Sequence, residues 1–373
     1  MTGRCEVRVN LAAIERNTAS LVSAAPTAAL CVVVKADGYG HGMLPAARAA
    51  LAGGAGWLAV ATAHEGAALR AGVGPDVPIL LLGVLTADEL PVAVGAGLDI
   101  GAWTTGFAEA AAAEAARQGV RARLHVKLDT GLGRLGTRDP AEADAVAGLA
   151  AAGQTTELVA GWTHFATADD RGDEFFGVQL ERFGRWGRSL RERHPGVMLH
   201  AANSAAMLRD ASAHFDLVRC GVAAYGLDPF GGDPGDHGLE PAMSVRATVG
   251  AVKPCAAGES AGYGRRFIAA SDTTIATIPI GYGDGYRRGY EGVWVAIGGS
   301  RRPVSGTISM DNITVDLGPG ASDVQPGDEA WVLGEGGPRA EELASVAGTI
   351  NYEVTCGIGA RPSRVHHRDG IPE

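Results

Sequence analysis

Short apolar runs bounded by glycine, proline or polar residues recur through the first two-thirds of the chain. They lie at 30 to 35, 57 to 61, 78 to 83, 98 to 102, 123 to 128, 158 to 163, 197 to 201 and 217 to 222. Between them come alanine-rich or mixed-charge segments with helical spacing, such as 105 to 118, 141 to 152 and 175 to 193. Eight strands alternating with helices predict an α/β fold, a parallel (β/α)8 TIM-like barrel. Past Gly231-Gly232-Asp233-Pro234-Gly235-Asp236 the texture changes. Apolar segments at 243 to 252, 273 to 280, 293 to 297, 304 to 317 and 329 to 333, joined by glycine-rich turns, predict a mainly β second domain with one helix at 339 to 347. We therefore divide the chain into a barrel over 1 to 235 and a β domain over 236 to 373. A strand at 6 to 10 and a helix at 11 to 24 precede the barrel, and that strand is free to pair with the β domain.

Composition narrows the function classes. A chain of 373 residues that is 46% hydrophobic can bury a large core. Its net charge of −10 provides none of the basic field that nucleic acid or anionic lipid requires, so the expected partner is a small molecule. No apolar stretch reaches the roughly 18 residues of a membrane span, and the start of the chain carries no signal-peptide pattern, so we expect a cytoplasmic protein. The five cysteines, at 5, 31, 220, 255 and 356, show no disulfide framework and no metal-ligand spacing.

Lysine usage points to chemistry. Among 32 basic residues only Lys35, Lys127 and Lys253 are lysines. Arginine stays protonated, so an amine that has to deprotonate and attack a carbonyl has to be lysine. Lys35 closes the run Leu30-Cys31-Val32-Val33-Val34 and is followed by a turn with three glycines, Ala36-Asp37-Gly38-Tyr39-Gly40-His41-Gly42. This makes it the candidate Schiff-base lysine.

In a barrel, catalysis occupies the C-terminal ends of the strands. There the sequence places Lys35, Lys127 with Asp129 and Arg134, His164, Asn203-Ser204, and Arg219 with Gly221. Taken singly, His164 reads as a core histidine and Ser204 as a helix N-cap. Together they describe a pocket with an amine, an imidazole, two guanidinium groups and a phosphate cradle. An aldehyde cofactor bearing phosphate fits, and pyridoxal 5′-phosphate is the one a lysine Schiff base serves.

The runs Val33-Val34-Lys35-Ala36-Asp37-Gly38-Tyr39-Gly40-His41-Gly42, Lys127-Leu128-Asp129-Thr130-Gly131-Leu132-Gly133-Arg134, Thr163-His164-Phe165, Ala202-Asn203-Ser204, Arg219-Cys220-Gly221, Tyr263-Gly264, Pro279-Ile280-Gly281-Tyr282-Gly283-Asp284-Gly285, Ser309-Met310-Asp311 and Asn351-Tyr352-Glu353 resemble those of bacterial alanine racemases, in order and over nearly the whole chain. The resemblance implies interconversion of L- and D-alanine, supplying D-alanine for peptidoglycan. Lys35 is implied to form the internal aldimine and to act as one catalytic base. Tyr263, from the second subunit of a homodimer with shared sites, is implied to be the other.

Further roles are implied in the same way. Tyr39, Ser204, Gly221 and Tyr352 fall where the family binds phosphate, and His164 where a ring sits beside the cofactor, bonded to Arg219. Arg219 falls against the pyridine nitrogen, which a guanidinium leaves unprotonated. Arg134 and Met310 match positions that hold the substrate carboxylate, with Asp311 nearby, and Tyr282, Tyr352, Arg288 and Asp169 match the substrate entry. Lys127 matches a lysine often carbamylated in the family. Asp37-Gly38 and Leu132 depart from frequent family residues outside the proton-transfer set, and Lys253 matches no motif. Two other readings are a decarboxylase or aldolase on the same architecture, which Arg219 disfavours, and a non-catalytic cofactor-binding module.

Overall fold

A computed structural model describes residues 4–320 and 323–373. The chain divides into two compact units. One comprises Ile14–Gly38 and Met43–Ala224; the other takes the described residues up to Ala13 together with Tyr39–Gly42 and Tyr225–Glu373. The first strand of the chain, β1 (Cys5–Asn10), belongs to the second of these.

The first unit is the predicted barrel. Its strands are β2 (Ala29–Val33), β3 (Trp57–Val60), β4 (Ile79–Leu81), β5 (Asp99–Ala102), β6 (Ala122–Lys127), β7 (Thr156–Trp162), β8 (Met198–His200) and β9 (Leu217–Cys220). They follow the order β8-β7-β6-β5-β4-β3-β2-β9, and each neighbouring pair is parallel. Asp216 N–H donates to the Leu199 carbonyl at 3.0 Å and Arg219 N–H to the Ala202 carbonyl at 2.9 Å, which nearly closes the seam between β8 and β9. All eight strands lie on the apolar runs read from the sequence. Parallel strands covered on both faces need such uninterrupted hydrophobic stretches, and Val32, Leu58, Leu80, Ile100 and Val126 are wholly buried. Each such side chain stabilises the fold by roughly 1.5–3 kcal/mol.

The helices begin at residues that satisfy their free N–H groups. Thr104 caps Thr105–Gln118 and Asp139 caps Pro140–Ala152. Thr62 and Glu65 form a reciprocal capping box at Ala63–Val73. Helix Phe175–Arg193 buries Phe176, Phe183, Trp186 and Leu190 against the barrel. Among the described residues no helix is long and apolar enough to cross a membrane.

The second unit is mainly β. Its strands are β10 (Met243–Thr248), β11 (Ala251–Cys255), β12 (Ser260–Ala261), β13 (Phe267–Ile268), β14 (Thr273–Ile278), β15 (Trp294–Ile297), β16 (Ser300–Pro303), β17 (Ile313–Gly318), β18 (Glu329–Leu333), β19 (Ser363–Arg368) and β20 (Ile371–Pro372). A seven-stranded sheet runs β16-β15-β18-β10-β1-β19-β20, and a three-stranded sheet runs β11-β14-β17. β1 lies inside the larger sheet, antiparallel to β10 and parallel to β19.

Two sequence segments behave differently from the reading. The run 243 to 252 is two strands in two sheets, because Val249 still bonds to Gly327 and Asp328 before β18 while Gly250 N–H turns to the Thr277 carbonyl at 2.8 Å. The run 304 to 317 becomes a strand only at Ile313; before it, Gly306 takes φ 78°, a left-handed turn that breaks the alternation. Helix Asn351–Cys356 and strand β19 carry too few apolar residues to have been read at all.

Candidate active site

Lys35 follows β2, and the backbone after it is left-handed over four residues. Ala36, Asp37, Gly38 and Tyr39 have φ of 52°, 52°, 63° and 55°. Three of these are not glycine, and each costs about 1–2 kcal/mol in that region. The surroundings hold the turn in place: Glu65 accepts from Ala36 N–H at 2.7 Å, Asp37 from Met43 N–H at 2.8 Å, and the Val34 carbonyl from Gly38 N–H at 2.9 Å. Strain kept at one point of a scaffold is a mark of a functional position.

Arg219, on β9, is 2% exposed. Its Nη2 donates to the carbonyls of Thr163 and Ala201, both at 2.9 Å, and to His164 Nδ1 at 3.2 Å; Nη1 donates to His200 Nδ1 at 2.6 Å. Burial lowers its pKa to about 10, so it stays a cation at neutral pH. His164 is held far below the usual imidazole range by burial first, then by the charges of Arg219, Lys127, Arg134 and Lys35. It is a neutral ring.

Ser204 does not cap its helix. Asn203 does, accepting from Ala206 N–H at 2.9 Å, while Ser204 Oγ receives Gly221 N–H at 3.0 Å and Ala223 N–H at 3.4 Å. Two backbone donors thus converge on one buried oxygen, the arrangement a phosphate oxygen uses. Together with the buried guanidinium of Arg219, two residues before Gly221, this cradle suits a phosphorylated ring with a basic nitrogen.

Lys127 ends β6 and is 3% exposed, with Nζ 3.6 Å from the centroid of the Trp162 ring. Burial, then the charges of Arg219 and Arg134, lower its pKa to about 7 against the opposing pull of Asp129. The loop after it is folded by Asp129, whose carboxylate accepts from Gly131 N–H, Gly133 N–H and Arg138 Nε at 3.0–3.1 Å. Arg134 rides on this loop and is exposed.

The second unit holds the other predicted residues in separate groups. Tyr39 stacks on Tyr225 at 5.1 Å and lies 6.2 Å from Tyr352. The turn that follows Tyr39 is tied to β19, since Arg364 Nε donates to the Gly40 carbonyl at 2.9 Å and His366 Nε2 lies 2.8 Å from the His41 carbonyl. Tyr282 is bound to the 309–311 loop: its N–H reaches the Ser309 carbonyl at 3.1 Å, and Gly283 N–H reaches the Met310 carbonyl at 2.9 Å. Arg361 clamps the same loop through Asp311 at 2.7 Å and through the Met310 carbonyl at 3.3 Å. Tyr263 stands between Gly262 and Gly264, both left-handed, with its carbonyl receiving Thr307 Oγ1 at 3.0 Å. Tyr263 is 72% exposed, and Met310 and Tyr282 are exposed as well. Lys253, Asp169 and Arg288 are on the surface.

Sequence reasoning missed a buried relay behind Arg219. His200 Nε2 lies 2.8 Å from His125 Nδ1, and His125 Nε2 lies 3.2 Å from Asp99 Oδ1. A signal was present: Arg123, His125 and Lys127 occupy alternate positions of β6 and so share one face of an otherwise apolar strand.

Comparison with known proteins identifies the architecture. Residues 9–229 match the family described as alanine racemase, N-terminal domain, and residues 242–366 match alanine racemase, C-terminal domain. The chain is 42% identical to an alanine racemase of Frankia casuarinae, covering 95% of this chain and 94% of that one. It is also 42% identical to one of Thermobifida fusca, covering 98% and 99%. The solved alanine racemase of Streptomyces coelicolor superposes with a TM-score of 0.93 at 39% identity, over 97% of this chain and 98% of that one. With its barrel, its β unit and its full length accounted for in this way, the chain belongs to the alanine racemase family.

Proposed function

We propose that the protein interconverts L- and D-alanine by a two-base route on pyridoxal 5′-phosphate, in the cytoplasm, as a homodimer whose product D-alanine serves peptidoglycan. The observation that carries this reading is Arg219, buried at a strand end and fixed there by bonds from Nη1 to His200 and from Nη2 to His164 and two carbonyls.

Lys35 would hold the cofactor through Nζ, and Ser204, Gly221, Tyr39 and Tyr352 would hold its phosphate. When bound, the cofactor supplies the electron sink that lets an amino acid lose its Cα proton. Arg219 would meet the ring nitrogen as a donor that keeps its proton, because a guanidinium near pKa 10 does not release it at neutral pH. Neutral His164 would lie beside the ring. Lys35 Nζ would hold or move the proton on one face of Cα, and the partner subunit's Tyr263 on the other. Arg134 and Met310 would take the substrate carboxylate with Asp311 nearby, and Tyr282 would narrow the approach to small amino acids. Lys127 is partly neutral near pH 7, the form that takes up carbon dioxide as a carbamate while releasing a proton; the new carboxylate would orient Arg134.

Subunit exchange tests the shared site. Lys35→Ala and Tyr263→Phe chains, each nearly inactive, are mixed under conditions that exchange protomers. If the two bases come from different chains, each mixed dimer has one intact site, and roughly a quarter of wild-type activity returns. Activity that stays at the level of the two parents overturns the shared site. A borohydride-reduced cofactor adduct of unchanged mass on Lys35→Ala overturns the lysine assignment.

A further inference from the structure

Outside the barrel mouth, the loop after β6 and helix Phe175–Arg193 border a half-open pocket of about 630 Å3 that none of the roles above uses. Its volume lies within the range of small-molecule sites, roughly 300–1,000 Å3. Leu128, Phe175 and Trp186 form the apolar part, and Arg138, Arg182 and Arg185 supply charge. The two acidic residues in its wall are already engaged. Asp144 receives Trp186 Nε1 at 2.9 Å and Arg193 Nη2 at 2.5 Å, while Asp129 receives two backbone N–H groups and Arg138. Arg182, by contrast, meets no carboxylate among the described residues: Nη1 donates to the Thr130 carbonyl at 3.0 Å and the guanidinium carbon lies 5.7 Å from the Phe175 ring centroid. Arg185 pairs with Glu181, and both are about 70% exposed, so that pair holds it weakly.

We propose that this cavity is a regulatory site for a small aromatic monocarboxylate. The aromatic part would lie against Phe175 and against Trp186, whose N–H is spent on Asp144 so that the indole offers its face. The carboxylate matches the planar fork of Arg182, with Arg185 beside it. A doubly charged phosphate suits the place less well, because Asp129 and Asp144 line the same wall. Occupancy acts on the site through Thr130. A carboxylate on Arg182 competes with the Thr130 carbonyl, and Thr130 Oγ1 lies 2.9 Å from Thr163 Oγ1 and receives Gln179 Nε2 at 3.1 Å. Thr163 in turn accepts from Arg219 through its carbonyl, and Thr130 opens the loop that carries Arg134. The ligand therefore weakens alanine binding without sharing its place.

The test uses 2-naphthoate as the probe, on the purified full chain with cofactor. Calorimetry should give saturable binding that is at least 10-fold weaker for the neutral 2-naphthamide and at least 10-fold weaker for Arg182→Gln, with Arg185→Gln weakened in the same sense. In racemisation assays the KM for alanine should rise several-fold and level off at saturating naphthoate. The calorimetric arm needs no turnover, so it stands or falls apart from the reading of the reaction. No saturable heat at millimolar probe, or binding unchanged in both arginine variants, overturns the site. A KM that climbs in proportion to naphthoate with no plateau places the probe in the alanine site and overturns the proposal. Binding with an unaltered KM overturns the coupling through Thr130.

Discussion

Arg219 Nη1 and His200 Nδ1 are 2.6 Å apart, and because a guanidinium can only donate, this contact sets the tautomers behind it. His200 has to accept at Nδ1, so its Nε2 carries the proton and donates to His125 Nδ1. His125 then donates from Nε2 to Asp99, which also receives Arg123 Nε at 2.9 Å. A directed chain therefore runs from a buried cation to a buried carboxylate through two neutral rings.

Removing the middle of that chain should be expensive. His200→Phe leaves an N–H of Arg219 and Nδ1 of His125 buried without partners, at about 1–3 kcal/mol for each group. Urea unfolding should show a loss on the order of 2–5 kcal/mol. In a double-mutant cycle with His125→Phe the two losses should fall short of additivity by about 1 kcal/mol or more. Strict additivity would show that the rings act independently.

The imidazoles also predict an acid limit. Burial first, and Arg219 next, hold both His164 and His200 well below the ordinary value of 6.5. The unfolded chain then binds protons at these positions before the folded one does. Their contribution is complete above pH 6.5 and is lost as pH falls below it, by roughly 1.4 kcal/mol per unit for each histidine. Stability of His200→Phe relative to wild type, followed from pH 7 to 5, should improve as pH falls. A constant difference would sink the assignment.

Lys127 has the same sign in a higher window. Its pKa falls from 10.5 to about 7, so the contribution present above 10.5 is lost as pH drops toward 7. At neutral pH the buried amine is a net cost. We expect Lys127→Met to unfold at higher temperature than wild type at pH 7 in bicarbonate-free buffer, with the gap closing toward pH 10. Bicarbonate should raise the wild-type midpoint and leave that of Lys127→Met where it is.

Two glycines separate backbone strain from collision. Gly40 has φ 83° and a Cβ there would lie 2.4 Å from the Thr355 carbonyl oxygen, while Gly74 has φ 84° and nothing within 4 Å. Gly74 has ψ 178°, a region essentially reserved for glycine, so Gly74→Ala should cost about 1–3 kcal/mol, the strain alone. Gly40→Ala adds a displacement of backbone worth a further 1–3 kcal/mol or so. Thermal unfolding that ranks the two equally would remove the collision from the account.

Asp284 is 1% exposed and receives Arg4 Nη2 at 3.1 Å, Gly281 N–H at 3.0 Å and Arg361 Nε. Burial pushes its carboxyl up, but the bonds from Arg361, Gly281 and Arg4 outweigh it and the net shift is downward. The stabilisation is thus present above the unfolded value of 3.8 and lost as pH falls through the lower folded one. Because Arg361 also holds Asp311 and Met310, Asp284→Asn should raise the KM for alanine several-fold more than it lowers kcat. A loss confined to kcat would contradict a role in positioning that loop.

The barrel was legible because each of its strands is buried on both faces and so had to be written as an apolar run. The β unit was legible only in part. In β19, Arg364 and His366 bond to the carbonyls of Gly40 and His41 rather than filling a core, so a buried-strand pattern never arises there. The motif residues were readable one by one, since each sits at a strand end or a glycine-marked turn. The relay from Arg219 to Asp99 was not, because its members are contributed by β9, β8, β6 and β5 and meet only once the barrel closes.

The place of β1 inside the larger sheet has a consequence for synthesis. It is complete once residue 10 has left the ribosome, yet its partners are β10, 233 residues later (243 − 10), and β19, 353 residues later (363 − 10). At roughly 5–20 residues per second, β1 waits on the order of 10–50 s for the first ladder and longer for the second. Throughout that interval Val7 and Val9, wholly buried in the finished molecule, lack the sheet neighbours that cover them there. A message truncated before codon 363 leaves one edge of β1 open for good, and the product of such truncation should be found bound to chaperones or in aggregates.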